Sequence, residues 1–341
     1  MQGLMKVASG PGNLELRQLP DPVAGPGEVV VQVAATGICG SDLHIQDDEY
    51  KVVPPVVIGH ETAGVVVATG ADVKGVRPGD RVTSRTTIST CGECALCRAG
   101  RTNLCPQRRW LGGHVNGGFA TYFVVPEATI LPLPDSVSFD AGALTEPLAC
   151  CVHGVMELAR PAPGSLAVVS GPGPIGLLCA QVARAAGAEV VILGTGVDGG
   201  RFALARRLGF EHLVDVQAQP AAEALRARWG EREPDLLVEA AGAPSSLEGC
   251  LTLAPRGGTV LQIGLYGRPV PVAVDTLVLK EIRLLGSFSS TPTSWPTALD
   301  LLAYGAVQAE PLVTSKRPLA EWAPAFDAAR GKAEGKILLT P

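Results

Sequence analysis

The 341-residue sequence predicts an α/β protein in two parts, and three observations carry that expectation. Short valine-rich runs bounded by glycine and proline fill the first 150 residues, and no long helical pattern separates them. Beyond them, strand and helix patterns alternate at intervals of roughly 20–25 residues, the signature of a doubly wound parallel sheet. A glycine-rich turn, Gly171-Pro172-Gly173-Pro174-Ile175-Gly176, links the first strand of that series to its helix.

The elements follow in order. Residues 29–33, 56–58, 64–68 and 81–83 read as strands, and Pro78-Gly79-Asp80 reads as a turn. The second part opens with an apolar strand at 166–170. A helix at 177–186 ends at Gly187, a strand covers 190–193, and a helix at 201–208 stops at Gly209. Residues 212–216, 235–240 and 259–263 continue the strands, while 221–229 and 245–253 supply helices. After Gly286 the pattern predicts a helix at 296–304, then a short tail with a last strand at 336–339. No internal repeat of solenoid period is present.

Composition narrows the classes. Hydrophobic residues are 46% of the chain and charged ones 18%, which suits a packed core and argues against disorder. The 41 glycines and 28 prolines fit many tight turns. A net charge of −5 offers no basic surface for nucleic acid. No run of 18 apolar residues suggests a membrane span. The opening residues Met1-Gln2-Gly3-Leu4-Met5-Lys6 lack the pattern of a secretory signal. Nine cysteines, an odd count, then fit reduced thiols and a cytoplasmic location better than a disulfide framework.

Four of those cysteines cluster. Cys91, Cys94, Cys97 and Cys105 form C-x2-C-x2-C-x7-C, a spacing that suits a tetrahedral zinc. Gly92 and Gly100 let the loop wrap around an ion. Four thiolates leave no open coordination position, so such a site is structural. Four free loop cysteines and an iron–sulfur cluster are the competing readings. The second is disfavoured because the spacing matches ferredoxin patterns only loosely.

The glycine turn fits G-x-G-x-x-G in its proper context, after a strand and at the start of a helix. Gly171, Gly173 and Gly176, with Pro174 and Ile175 between them, permit close approach of backbone to a pyrophosphate. The helix N-terminus then faces the phosphate charge. The competing reading is a glycine-rich turn without a ligand.

A third set is dispersed: Cys39-Gly40-Ser41-Asp42-Leu43-His44, Gly59-His60-Glu61 and Glu146-Pro147. A cysteine, a histidine and a carboxylate suit a second zinc with an open position. Singly, each has a plainer reading: Cys39 as a buried hydrophobe, His60 as a hydrogen-bonded turn residue, Glu146 as a helix-start acid.

At this point the chain resembles the zinc-containing medium-chain dehydrogenases, in the branch of polyol (sorbitol) and threonine dehydrogenases. The resemblance spans essentially the whole sequence. It rests on Gly37-Ile38-Cys39-Gly40-Ser41-Asp42-Leu43-His44, Gly59-His60-Glu61-Thr62-Ala63-Gly64, Val76-Arg77-Pro78-Gly79-Asp80-Arg81-Val82, the four-cysteine lobe, Glu146-Pro147-Leu148-Ala149 and the glycine turn. It implies a GroES-like catalytic domain at 1–150, completed by 287–341, and a Rossmann domain at 151–286. It implies two Zn2+ per chain and NAD or NADP. A catalytic zinc would be held by Cys39 and His60, with Glu61 and Glu146 as the remaining candidate ligands. Asp42 matches an acid that orients the ligand histidine, and Ser41 and His44 match a relay that carries the alcohol proton to solvent. The implied reaction is hydride transfer between a secondary alcohol, polyol or sugar-type substrate and NAD(P). An L-threonine-type dehydrogenase and a non-catalytic nucleotide-binding protein on the same fold are the alternatives. Cys150, Cys151, Cys179 and Cys250 match no ligand position and are expected in the core, and His153 is expected to be structural.

Two departures stand out. Polyol dehydrogenases carry an Arg-Tyr pair that holds distal hydroxyls, and its positions here are Ser289 and Ser290. The acid that accepts from the adenosine ribose is replaced by Gly196, with Asp198 two residues later and Arg201 beyond it. That combination predicts use of both cofactors. The resemblance also implies a homotetramer, with 259–263 and 282–286 as candidate pairing edges.

Overall fold

The computed structural model describes residues 1–331 and 333–341. Its first part is built on a largely antiparallel sheet. Strand Glu28–Gly37 lies at the centre, paired with Glu61–Thr69, Tyr122–Pro126 and Lys336–Thr340. Arg81–Ser84 and Ile130–Pro132 extend one side and Val313–Pro318 the other. Val29, Val31 and Val33 face one core with Val66, Val82 and Phe123, and Val30 and Thr36 on the opposite face are buried as well. Three short strands, Gln2–Lys6, Leu14–Gln18 and Val56–Val57, form a second sheet beside it.

The second part is a six-stranded parallel sheet. Its order is Leu213–Asp215, Glu189–Gly194, Leu166–Ser170, Leu236–Glu239, Thr259–Gln262, Arg283–Gly286. Leu166 to Val169 are fully buried, because helices cover both faces of the sheet. One face packs on Thr145–Val152, Pro174–Ala185 and Ser294–Ala303, and the other on Pro244–Leu253 and its neighbours. The strand order reverses direction at Leu166–Ser170, where open α/β sheets bind ligands. Helix Thr145–Val152 runs across the position expected to divide the two parts and continues into a π-helical turn, His153–Ala159.

Several expectations need correction. The helix after the glycine turn starts at Pro174, not 177, with proline in its first turn, where the missing N–H costs nothing. Thr259–Gln262 is an interior strand, so Arg283–Gly286 alone of the two candidates is an edge. The tail holds more than a last strand. Val313–Pro318 alternates half-buried with exposed residues and pairs in parallel with Lys336–Thr340, and helix Trp322–Arg330 connects them. Helices Gly40–Gln46 and Val274–Lys280 were also not anticipated. Among the described residues no helix is long and apolar enough to cross a membrane.

Candidate active site between the two sheets

The Cys39 loop is set by short-range hydrogen bonds. The Cys39 backbone N–H donates to Asp42 Oδ2 at 2.9 Å, and Asp42 N–H returns a bond to the Cys39 carbonyl at 3.0 Å. This closes the start of helix Gly40–Gln46 and aims Ser41 and His44 into a cleft of about 620 Å³. His60 enters from the strand side. It follows Gly59, whose φ of +91° admits no side chain because a Cβ would lie 2.6 Å from the Phe119 ring. His60 and Glu61 thus stand where the strand Glu61–Thr69 begins.

Ligand-type atoms of Cys39, His60 and Glu61 lie within 4.8 Å of one another. His60 presents Nε2 to the cleft, 3.5 Å from Ser41 Oγ, and Nδ1 to Asp42 Oδ1 at 3.6 Å. An imidazole with its second nitrogen facing a buried carboxylate has the usual arrangement of a metal-ligating histidine. Burial pushes the Asp42 carboxyl up to about 6 against the pull of His60. Burial also works to lower the His60 pKa, but Asp42 and Cys39 outweigh it and hold His60 well above its ordinary value.

Behind the cluster lies a buried ion pair. Lys336, from the last strand, donates to Glu61 Oε1 at 2.7 Å and to the Ile38 carbonyl at 3.0 Å. Glu61 is fully buried, and its Oε2 has no partner. Glu146, in the first turn of Thr145–Val152, lines the cleft from the other side. It falls outside the 4.8 Å cluster. Burial raises its pKa, and its one side-chain contact is the Cys150 thiol, 3.6 Å from Oε1. Cys150 therefore lines the cleft instead of packing in the core, because it sits one turn after Glu146 on the same helix face. Cys151, Cys179 and Cys250 are buried as expected. His153 Nδ1 pairs with Glu157 at 2.7 Å, away from the cluster.

Zinc fits both donor sets. Glu61 Oε2 is buried without a hydrogen-bond partner, and the Glu61 carboxylate stands within 4.8 Å of ligand-type atoms of Cys39 and His60. In the lobe, Cys91 Sγ lies 3.9 Å from Cys97 Sγ and 3.6 Å from Cys105 Sγ. Zinc–sulfur bonds of about 2.3 Å give tetrahedral S···S edges of about 3.8 Å. Backbone N–H groups of Cys91, Cys94 and Cys97 each donate to a cluster sulfur at 3.4 Å. The Cys94 and Glu93 amides hold the Cys91 thiol down at about 6, while burial pushes Cys97 up to about 11. Four thiolates do not coexist there without a cation.

The nucleotide side closes the cleft. Gly171 adopts φ +103°, and a Cβ on Gly176 would stand 1.8 Å from the Gly171 carbonyl, so both positions require glycine. Gly173 is the uncapped N-cap of helix Pro174–Ala185, leaving its first amides free for an anion. Gly173, Pro174, Ile175 and Arg201 line the same cleft as Cys39 and His60. Gly196 lies beside it in the turn Gly196–Asp198, its N–H donating to Gln217 Oε1 at 3.2 Å. Asp198 does not reach back to a ribose. It accepts from Thr195 N and Oγ1, both at 2.9 Å, and faces Arg201 at 3.6 Å.

Comparison with known proteins agrees with this geometry. Residues 25–135 match the alcohol dehydrogenase GroES-like domain and residues 174–304 the zinc-binding dehydrogenase domain. The chain belongs to the zinc-dependent medium-chain alcohol dehydrogenase family. It is 39% identical to a D-arabitol-phosphate dehydrogenase of Enterococcus avium, over 99% of this chain and 97% of that protein. It is 37% identical to a sorbitol dehydrogenase of Halalkalibacterium halodurans, over 100% and 99%. A zinc-binding dehydrogenase of Sinorhizobium meliloti, solved with NADP, superposes with a TM-score of 0.90 at 33% identity, covering 100% of this chain and 99% of that one. The family members are GroES-like plus Rossmann oxidoreductases that use zinc and NAD(P), and this chain is one of them.

Proposed function

We propose that this dehydrogenase interconverts a secondary alcohol or polyol with its ketone at the Cys39–His60 cluster, and that NAD and NADP both serve. The observation that supports this reading is the convergence of Cys39, His60 and Glu146, the Ser41–His44 pair and the glycine turn on one cleft, with the Glu61 carboxylate within 4.8 Å of Cys39 and His60. Cys39, His60 and one or both of Glu61 and Glu146 would hold the catalytic ion, and Cys91, Cys94, Cys97 and Cys105 the structural one. When bound, the catalytic zinc supplies a Lewis acid that lowers the pKa of an alcohol hydroxyl. Ser41 then accepts the hydroxyl proton and passes it toward His44, whose Nδ1 is fixed by Glu49 at 2.5 Å at the mouth of the cleft. Asp42 holds the His60 ring in orientation. Lys336 neutralises Glu61, so the pocket keeps its carboxylate without an uncompensated buried charge. The nicotinamide lies between the two parts, its pyrophosphate against Gly173 and Ile175. With Asp198 committed to Thr195 and Arg201, the carboxylate that stands nearest Gly196 is Asp215, whose Oδ2 would lie 3.5 Å from a Cβ there.

The same reading divides the chain into 1–150 with 287–341, and 151–286. It also includes a cytoplasmic homotetramer. The edge strand Arg283–Gly286 and the exposed Val274, Val278, Leu279 and Leu284 beside it favour an isologous contact that covers this edge. Light scattering at micromolar concentration tests it, and a monomeric mass overturns it. The catalytic reading is tested with a panel of secondary alcohols and polyols and both cofactors, followed by absorbance of the reduced cofactor. Protein that contains no zinc by elemental analysis, and gains no activity when zinc is added, would refute it.

A further inference from the structure

The positions where polyol dehydrogenases carry their Arg-Tyr pair are serines here, yet a guanidinium and a phenol still meet in the cleft. Ser290 is turned away from the cleft, accepting from Trp295 Nε1 at 2.9 Å. Ser289 lines the cleft and adopts φ +57°, a strained backbone for a serine. Its Oγ accepts from Arg108 at 3.1 Å. Arg108 reaches in from just past the cysteine lobe. Its Nε donates to Thr87 Oγ1 at 2.9 Å, and its Cζ lies 5.5 Å from the centroid of the Phe288 ring.

Arg108 is a partly buried cation without a counter-charge. Among the described residues no carboxylate comes within 4 Å of its nitrogens. Two of the five N–H groups of the guanidinium donate to Thr87 and Ser289, and the others face the Tyr50 hydroxyl and the cleft. The Tyr50 hydroxyl stands beside it, and desolvation depresses the Arg108 pKa. Thr86, almost fully buried and lining the same cleft, has a hydroxyl without a partner. An arginine held away from water by aromatic and hydroxyl neighbours, with free donors facing a cavity, is built to receive planar or tetrahedral oxyanions in bidentate fashion.

The placement fixes where that anion would sit. Trp110 packs edge-on against His60, ring centroids 5.9 Å apart, and against Tyr50 at 5.7 Å. Trp110, which also lines the cleft, thus touches both His60 and the Tyr50 that stands beside the guanidinium. We propose that Arg108, with Ser289, Tyr50 and Thr86, forms a subsite for an anionic group at the far end of the substrate, so that the enzyme acts on alcohols bearing a phosphomonoester or a carboxylate in preference to neutral polyols. This rests on the dehydrogenase reading above and specifies its substrate class.

The test compares a neutral pentitol, the same pentitol carrying a terminal phosphate, and the corresponding aldonate. Each is assayed with wild type, Arg108→Gln and Arg108→Lys at saturating cofactor. The expected result is a kcat/KM about 100-fold higher for one anionic substrate than for the pentitol, the scale of a charge-assisted bidentate contact. Arg108→Gln loses most of that preference, its loss on the anionic substrate exceeding its loss on the pentitol by at least about tenfold, and Arg108→Lys recovers part of it. The phosphate and carboxylate arms identify which anion the subsite takes. Calorimetric binding of pentitol phosphate and aldonate in the presence of NAD gives a readout independent of turnover. Heat lost in Arg108→Gln, with an unchanged melting temperature, supports the subsite. Equal preference for the neutral pentitol in wild type, or equal loss on neutral and anionic substrates in Arg108→Gln, overturns it. No turnover of any alcohol removes the dehydrogenase reading instead, and calorimetry then still decides the subsite.

Discussion

The two donor clusters of this chain are assembled by opposite routes. The cysteine lobe takes all four sulfurs from residues 91–105 and orients them with its own backbone amides. The cleft cluster draws Cys39 from a helix cap, His60 and Glu61 from a strand entry, Glu146 from a helix across the cleft and Lys336 from the last strand. The lobe is locally encoded and coordinatively closed. The cleft is tertiary in origin, buried, and held open on the side that faces the cofactor. Local encoding makes a site robust to changes elsewhere in the fold, whereas long-range encoding ties chemistry to the integrity of the whole sheet.

Substitutions sharpen that contrast. His60→Ala should cost the most: kcat/KM falls by roughly 10⁴-fold, while circular dichroism and the thermal midpoint stay near wild type. A comparable loss of folded protein would mean that the cluster is structural, as the lobe is. Lys336→Met comes next. In zinc-depleted protein it strands Glu61 as a buried, uncompensated charge, so urea unfolding of that form should show a loss of about 3–5 kcal/mol. Adding Glu61→Gln should return most of that stability, and a double mutant no better than the single one breaks the coupling argued here. Cys97→Ser inverts the pattern. Zinc content should drop from two ions per chain to one and the melting temperature by about 5–10 °C, with a smaller effect on turnover per folded molecule than His60→Ala has. Gly196→Asp is the mildest. A Cβ there meets Gln217 and Asp215 only at ordinary contact distances, so the carboxylate fits and should lower kcat/KM with NADP about tenfold relative to NAD. A strong NAD preference in wild type, untouched by the substitution, would show that another acid already holds the ribose.

The same contrast explains what could be read in advance. The parallel sheet, the glycine turn and the cysteine lobe announce themselves through periodicity and spacing over a few residues. The dispersed set became readable only through resemblance, since Cys39, His60 and Glu146 have plain readings one by one. Local pattern carried no trace of Lys336, a lone lysine opening an apolar strand, or of Arg108, one of two adjacent arginines after a cysteine. The capture of the Asp198 carboxylate by the Thr195 amide and hydroxyl is likewise invisible in the local pattern. Cys150 matches no ligand position and so reads as a core residue, but its spacing from Glu146 puts it on the cleft face. Strand Val313–Pro318 escaped notice because charged and polar residues interrupt its apolar pattern.

The pairing of Gly37 with Leu338 has a consequence for how the molecule comes into being. As the chain leaves the ribosome, the parallel sheet of residues 166–286 has all its strands in hand while the earlier sheet still lacks the strand that seats between Glu28–Gly37 and Val313–Pro318. The nascent protein therefore carries an open hydrogen-bonding edge, and Glu61 without its lysine, through most of its synthesis. Every candidate metal-holding residue is made before residue 147, so the last strand brings no ligand; it brings the backbone edge that closes the sheet and the lysine that meets Glu61.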